Sequence, residues 1–468
     1  FQNGSNTPSF WKKRLARINS GGQVLDYINH ISYDWSSNIE IEIMSLSLNT
    51  FSNKKILIYG LGKSGVSSFI FLKNNNDIFL YDDFIKKTNK SKLKKNIISY
   101  KEVLRLNFDA IILSPGVDLN TCKLSKFLKK NRNKIYSDLD VFYTFYKNEC
   151  ITVTGTNGKS TTCQLLYKVL LDQKFDAKLV GNIGNPILST KKIKKKSIFV
   201  IEASSYQLEY SKIFKSKYSI ILNISPDHLE RHKTIKNYVK AKFKLLKNQD
   251  LGHLAFVKKD DFWIKQELKS SKFKSKIIKV NTEKKNIDFK KTKNHYFSTE
   301  SNLENLSFVF EIAKALNIKK NLVLKTAKFF KGLQYRQQII YRKKNLTIIN
   351  DSKSTSFSSS LSLLKKKTNI YWILGGIYKK GDEFKLPKKY FKNIKAFIYG
   401  KNYFFFNKKF SGKISYENFS NLRDALIRVL MLIKKHKLAS TTILFSPCAA
   451  SFDSFKNFED RGFYFNKL

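Results

Sequence analysis

The segment ITVTGTNGKSTTCQLL, residues 151–166, runs from a β-branched stretch through Gly155-Thr156-Asn157-Gly158-Lys159-Ser160 into a helix-like pattern. Strand, glycine turn and helix in that order gather backbone N–H groups around an anion at the helix N-terminus. The spacing is a shortened relative of G-x-x-x-x-G-K-[ST], because Val153 stands where the early glycine would be. The turn still suits a nucleoside triphosphate. Lys159 is expected to bridge the β- and γ-phosphates, and Ser160 or Thr161 to bind Mg²⁺.

A second glycine loop lies upstream. Tyr59-Gly60-Leu61-Gly62-Lys63-Ser64-Gly65 follows the strand-like run Lys54–Tyr59 and precedes a helical pattern at Val66–Lys73. A further strand at Asp77–Tyr81 closes a βαβ unit. Asp82 and Asp83 follow about twenty residues after Gly60, where a ribose-binding acid belongs. This loop indicates a bound diphosphate more firmly than it indicates a dinucleotide. Phe108–Leu113 reads as another strand, ending in the turn Ser114-Pro115-Gly116. A dehydrogenase has no need of the Lys159 loop, and a GTPase switch has no need of the Gly60 loop. One chain with both is expected to bind a nucleoside triphosphate and a second phosphorylated ligand.

Outward from the Lys159 loop, strands are expected at Ile151–Thr154, Ser197–Ile201 and Tyr218–Asn223, with helices at Ser160–Leu171, Ile235–Leu246 and Asn302–Leu316. The Lys-rich segment Ser270–Lys293 gives no clear period. A third block carries strand-like runs at Thr347–Asn350, Ile370–Leu374, Ala396–Tyr399 and Thr442–Ser446. The pattern predicts an α/β protein of three domains: a Rossmann-like domain over 44–147, a P-loop-type ATPase domain over 148–331, and a Rossmann-like domain over 332–468. Residues 1–43 hold no period, and Met44 is the expected start of translation, with the preceding segment an upstream extension.

Polar residues cluster after the central strands. Glu202 sits at a strand end, where it suits a second Mg²⁺-binding acid or a helix N-terminal acid favoured by the dipole. Asp227-His228-Leu229-Glu230-Arg231-His232 follows the next strand. The i, i+4 histidines lack the glutamate of a zincin, since Leu229 occupies that place, so His228 reads as a Mg²⁺ ligand or phosphate neighbour and His232 as a surface residue. Nothing local distinguishes Lys242 from its many lysine neighbours.

Net charge is +52, from 88 basic and 36 acidic residues among 468. The excess is lysine spread over every segment, in company with Asn, Ile, Phe and Tyr, which points to a compositional bias rather than a nucleic-acid interface. A basic nucleic-acid-binding NTPase is nonetheless the alternative from another class. Four cysteines without CxxC spacing form no disulfide framework and fit a reducing cytoplasm. No apolar run reaches the ~18 residues of a membrane span.

Taken together, these motifs resemble the Mur ligases, the ATP-dependent amide-forming enzymes of peptidoglycan synthesis, whose superfamily includes the folylpolyglutamate synthetases. The shortened loop, Glu202, the Asp227-His228 pair and Asn302 with Asn305 are superfamily features. Asn350-Asp351-Ser352-Lys353-Ser354-Thr355 and the segment Ser446–Gly462, SPCAASFDSFKNFEDRG, are similar to the D-glutamate-adding branch. The resemblance covers residues 51–468. It implies ATP as cosubstrate, two Mg²⁺ ions, UDP-N-acetylmuramoyl-L-alanine and D-glutamate as substrates, and a cytoplasmic monomer with neither nucleic acid nor membrane insertion. The sister reading is another Mur-type ligase adding a different amino acid.

The resemblance also implies site roles. Leu61, Gly62, Lys63, Ser64, Asp82, Asp83, Ser114 and Asn182 would hold the UDP-substrate. Gly155, Thr156, Asn157, Gly158, Lys159, Ser160, Thr161, Asn305, Arg336 and Asp351 would hold ATP. Lys159 would stabilise the transferring phosphoryl group, Ser160 and Glu202 would bind one Mg²⁺, and His228 with an N6-carbamylated Lys242 the second. Lys353, Thr355, Lys379, Ser451, Phe452 and Phe458 would position D-glutamate. Three features depart from the family pattern. Ser301 replaces a histidine, Gln334-Tyr335 replaces Pro-His before Arg336, and His228 stands fourteen residues from Lys242, one fewer than in bacterial relatives.

Overall fold

The computed structural model describes residues 51–84, 91–282, 289–343, 345–365, 368–379, 382–435 and 440–468. The expected extension over 1–43 and the start at Met44 lie outside the described residues. Three sheets follow one another along the chain. The first holds β1 (Lys55–Tyr59), β2 (Asp77–Tyr81), β3 (Ala110–Leu113) and β4 (Ile135–Tyr136), ordered β2-β1-β3-β4 and all parallel. The second holds β5 (Cys150–Thr154), β6 (Ala177–Gly181), β7 (Ile198–Glu202), β8 (Tyr218–Ile221), β9 (Leu254–Lys258) and β10 (Lys276–Val280). Its order is β10-β9-β8-β5-β7-β6, again all parallel.

The third sheet comprises β11 (Gln338–Lys343), β12 (Leu346–Asn350), β13 (Asn369–Gly375), β14 (Ile394–Tyr399), β15 (Ser415–Phe419) and β16 (Thr441–Phe445). Its order is β11-β12-β16-β13-β14-β15, with β11 antiparallel to β12 and the other pairs parallel. The expected three-domain α/β architecture is present. Parallel strands covered on both faces read as mostly apolar runs. Central β5, β7 and β16 are buried at all five residues, with Thr152, Thr154, Glu202, Thr441 and Thr442 as their polar members. The unassigned segment Ser270–Lys293 contains β10, whose KIIKV sequence suits a sheet edge with lysines turned to water.

The sheets meet in two different ways. The first and second share one apolar core, in which Phe142 packs on Phe199 with ring centroids 4.7 Å apart. The second and third meet through polar contacts. Lys379 pairs with Asp227 at 2.5 Å, Lys365 with Glu300 at 3.0 Å, and Ser301 with Ser362 at 3.0 Å. Apolar burial holds the first pair of domains in one relation, whereas the second boundary rests on a few ion pairs and hydroxyl contacts, which contribute less. Among the described residues no helix is long and apolar enough to cross a membrane.

Candidate functional site

β5 lies where the strand order of the middle sheet reverses, so the loops after β5, β7 and β8 open into one crevice at the carboxyl ends. A cleft of about 870 Å³ forms there. Its walls include the Lys159 loop, Glu202, His228 and Lys242 from the middle domain, Arg336, Asp351, Lys353 and Ser451 from the C-terminal one, and Pro115 with Gly116 from the first.

The loop's shape follows from its glycines. Gly158 caps the helix Lys159–Asp172 at φ 87°, and a side chain there would meet Asn305 Oδ1 at 2.1 Å. Only glycine combines that left-handed turn with so close an approach. Lys159 curls back to donate to the carbonyls of Gly155 at 2.9 Å and Thr156 at 2.8 Å. Burial lowers its pKa from the ordinary lysine value, opposed by the nearby Glu202 and Asp227.

Ser160 Oγ donates to Glu202 Oε2 at 2.6 Å, and Asn182 Nδ2 donates to Oε1 at 2.9 Å. A buried carboxylate and a hydroxyl held side by side form a hard-oxygen donor pair that suits Mg²⁺ completed by phosphate oxygens. Among the described residues no group of three or more His, Cys, Asp or Glu side chains forms a metal cage.

His228 turns through the left-handed region at φ 55°, and its Nδ1 shares a 2.8 Å hydrogen bond with Tyr206 Oη. Burial lowers its pKa, partly offset by Asp227. Burial would raise the Asp227 carboxyl, but His228 and Lys379 outweigh it and hold the pKa below the ordinary value. Lys242 is 1% exposed. It donates to the Gly155 carbonyl at 2.9 Å and to Thr154 Oγ1 at 3.3 Å, and lies 4.5 Å from the Tyr238 ring. Desolvation, reinforced by Lys159, drives its pKa well below the usual lysine range. Nothing in sequence spacing marked this lysine, but its burial does.

The C-terminal wall is built by the segment after β12. Asp351 accepts from Ser446 Oγ at 2.8 Å and from the Gln337 N–H at 3.0 Å, and burial pushes its pKa up to about 7. Lys353 Nζ sits 3.9 Å from the Phe458 ring centroid, and burial lowers its pKa to about 8. Thr355, Lys379, Phe452 and Phe458 line the same cleft. Ser301, which departs from the family histidine, bonds Gln337 Nε2 at 3.0 Å. Asn302 donates to Gln337 Oε1 at 3.2 Å. Tyr335, the second departure, takes φ 59° and accepts the Lys353 N–H at 3.0 Å.

The first glycine loop stands apart from this lining. Leu61, Gly62, Lys63, Ser64, Asp82, Asp83 and Ser114 gather at the carboxyl ends of β1, β2 and β3, one turn of chain from Pro115 and Gly116. Asp82 Oδ2 accepts the Leu61 N–H at 2.6 Å and Ser114 Oγ donates to the Gly60 carbonyl at 2.6 Å, which fixes the loop. Asp83 accepts the Lys123 N–H at 3.2 Å.

One expectation is overturned. His232 is 5% exposed rather than a surface residue. The short helix Leu229–His232 turns it inward, where Nε2 shares a 3.0 Å bond with Ser205 Oγ and burial lowers its pKa to about 4. Tyr206 and Arg231 were missed as site neighbours, and Asp227 was noted only as part of the Asp227-His228 pair, with no role of its own. The contacts that bring them together, Tyr206 with His228, Asp227 with Lys379 and Arg231 with Pro115, span 22, 152 and 116 residues, and no spacing rule connects them.

Comparison with known proteins gives a consistent picture. Residues 153–325 match the Mur ligase middle domain, and residues 54–135 match the MurD-like N-terminal domain of Mur ligases. A UDP-N-acetylmuramoylalanine--D-glutamate ligase of Rickettsia felis is 33% identical over 445 residues, covering 90% of this chain and 98% of its own. The equally named protein of Buchnera aphidicola is 34% identical over 456 residues, covering 90% and 99%. Among solved structures, the MurF ligase of Thermotoga maritima in complex with ADP aligns over 86% of this chain and 93% of its own, with TM-score 0.51 and 15% identity, which speaks to the fold.

Proposed function

Because the chain belongs to the Mur ligase family, we propose that its cleft joins D-glutamate to the alanyl carboxylate of UDP-N-acetylmuramoyl-L-alanine at the expense of ATP, in peptidoglycan precursor synthesis. The observation that carries this reading is the convergence on one cleft of the Lys159 phosphate loop, the Ser160–Glu202 pair and the Asp351–Thr355 segment.

In this reading the alanyl carboxylate attacks the γ-phosphorus of ATP. ADP leaves and an acyl phosphate forms. The amine of D-glutamate then attacks the acyl carbon, and the tetrahedral intermediate expels phosphate as the amide forms. Lys159 exchanges its two loop carbonyls for β- and γ-phosphate oxygens. Ser160 and Glu202 would hold one Mg²⁺, and His228 with Lys242 a second. Such ions would supply charge neutralisation for the transferring phosphoryl group. Lys242, buried and depressed in pKa, suits conversion to a carbamate, since an uncharged amine is the form that reacts with CO₂. A carbamate there would replace a costly buried ammonium with an anionic ligand.

Lys353, Thr355, Lys379, Ser451, Phe452 and Phe458 position the amino acid, while Asn305, Arg336 and Asp351 hold the nucleotide. Leu61 to Ser64, Asp82, Asp83, Ser114 and Asn182 bind the UDP-substrate, with Pro115 and Gly116 leading from that loop toward the cleft. The polar boundary between middle and C-terminal domains suits opening for substrate entry and closure to exclude water. An amino-acid panel with the UDP-substrate tests the assignment. Phosphate release with D-glutamate supports it. Release with L-alanine or meso-diaminopimelate but not D-glutamate moves the chain to a sister activity.

A further inference from the structure

Arg231 lies behind the cleft and is 7% exposed. A guanidinium so far from water needs partners on several sides. Nη1 donates to the Pro115 carbonyl at 3.0 Å, which belongs to the first domain's loop. Nη2 donates to Tyr210 Oη at 3.0 Å, and Nε pairs with Glu209 at 3.4 Å, both on the helix Ser205–Tyr210 that follows β7. Its plane lies over the Tyr206 ring, 4.3 Å from the centroid. The hydroxyl of that tyrosine meets His228 Nδ1, and the Arg231 N–H itself closes on the His228 carbonyl at 3.2 Å.

One side chain thus ties two elements of the machinery together. It holds the loop that leads from the UDP site and the helix beginning just after Glu202, including the Tyr206 ring whose hydroxyl meets His228. We propose that Arg231 is a positioning residue that registers the Ser114–Gly116 loop against His228, so that the alanyl end of the UDP-substrate arrives in line with the phosphoryl group. This inference rests on the ligase reading. Two features favour a specific coupling over simple interdomain adhesion. The first–second domain boundary is already held by an apolar core that includes Phe142 and Phe199. The fork of Arg231, by contrast, reaches a backbone carbonyl of a residue that itself lines the cleft. A planar guanidinium that gives Nη1 to the Pro115 carbonyl and Nη2 to Tyr210 Oη ties the loop to the helix in a fixed direction as well as at a fixed distance.

The division of labour between Arg231 and Tyr206 can be read kinetically. Arg231→Met, Arg231→Lys and Tyr206→Phe are made in the full chain, with KM for each substrate, kcat and thermal midpoint measured. Arg231→Met should raise KM for the UDP-substrate about tenfold or more, the scale of a lost charge-assisted hydrogen bond, and leave KM for ATP within about twofold. Arg231→Lys, retaining one donor but not the fork, should fall between, and it reads the same split if the Met variant fails to fold. Tyr206→Phe keeps the ring beneath the guanidinium and removes the hydroxyl on His228. It should lower kcat while the UDP-substrate KM holds. If all three KM values shift together, if only the thermal midpoint moves, or if nothing changes, Arg231 is adhesion alone and the inference falls. If the wild type shows no D-glutamate-dependent turnover, the ligase reading falls, and this inference falls with it.

Discussion

Replacing Asp351 by asparagine should stabilise the C-terminal domain at alkaline pH while impairing the reaction. The carboxyl is 5% exposed, and burial raises its pKa from an ordinary 3.8 to about 7. Between about pH 4 and pH 7 the folded protein keeps a proton that the unfolded chain has released, so stability is lost as pH rises through that window. Above it, the ionised group costs folding on the order of 4 kcal/mol, from roughly three pKa units at about 1.36 kcal/mol each. Asparagine carries no such charge. Its Oδ1 can accept the Gln337 N–H and its amide can donate to Ser446 Oγ, which preserves both present contacts. Asp351→Asn should therefore match the wild type near pH 4 and exceed it by a few kcal/mol near pH 8. Hydrogen exchange of β12 and β16, followed from about pH 4.5 to pH 8.5 in both proteins, reads this locally. A wild-type-minus-variant difference that stays flat with pH, or a wild type that is the more stable at pH 8, would refute the reasoning.

Three further perturbations separate the parts of the cleft. Lys159→Ala should abolish phosphate release, while calorimetric binding of the UDP-substrate stays close to that of the wild type; equal loss of both would mean that the two loops do not divide the ligands as proposed. Lys242→Ala should lose most activity and regain part of it with added short carboxylates, which a plain ammonium role would not allow. Gly158→Ala should weaken nucleotide binding in a calorimetric titration, because φ 87° strains an alanine and the new methyl must displace Asn305 Oδ1. It should also destabilise the domain by about 1 kcal/mol or more.

The sequence was most legible where strands are central and loops carry glycine. The runs leading into Gly60 and Gly155 become β1 and β5, each flanked by parallel neighbours, because strands covered on both faces are rich in apolar and β-branched residues. The strands that escaped the reading were β4, β6, β10, β11 and β15, all sheet edges, together with β9. An edge strand meets solvent and carries polar residues, as in SYENF of β15 and QIIYRK of β11, so its hydrophobic signal fades. LAFVK of β9 is apolar but too short for periodicity to separate it from a helix.

The same contrast holds at the site. Lys159 and Ser160 announce themselves by their place in the loop, while the position of Glu202 left a metal-binding acid and a helix N-terminal acid both open. Lys242 is chemically distinctive only through burial that fifty-two units of net charge conceal in the sequence. Arg231 and Tyr206 depend on an approach of Pro115 and His228 that only the folded chain creates. His232 was misjudged because its inward turn follows from the positive φ of His228, a conformation no local pattern signals.

The central claim is that one cleft couples ATP cleavage to D-glutamate addition, and phosphate release tests it most directly. With ATP, Mg²⁺ and UDP-N-acetylmuramoyl-L-alanine present, the account predicts stoichiometric release of phosphate on adding D-glutamate, and formation of the amide-linked product. Phosphate release that ignores D-glutamate, or that responds to nucleic acid instead, would contradict it.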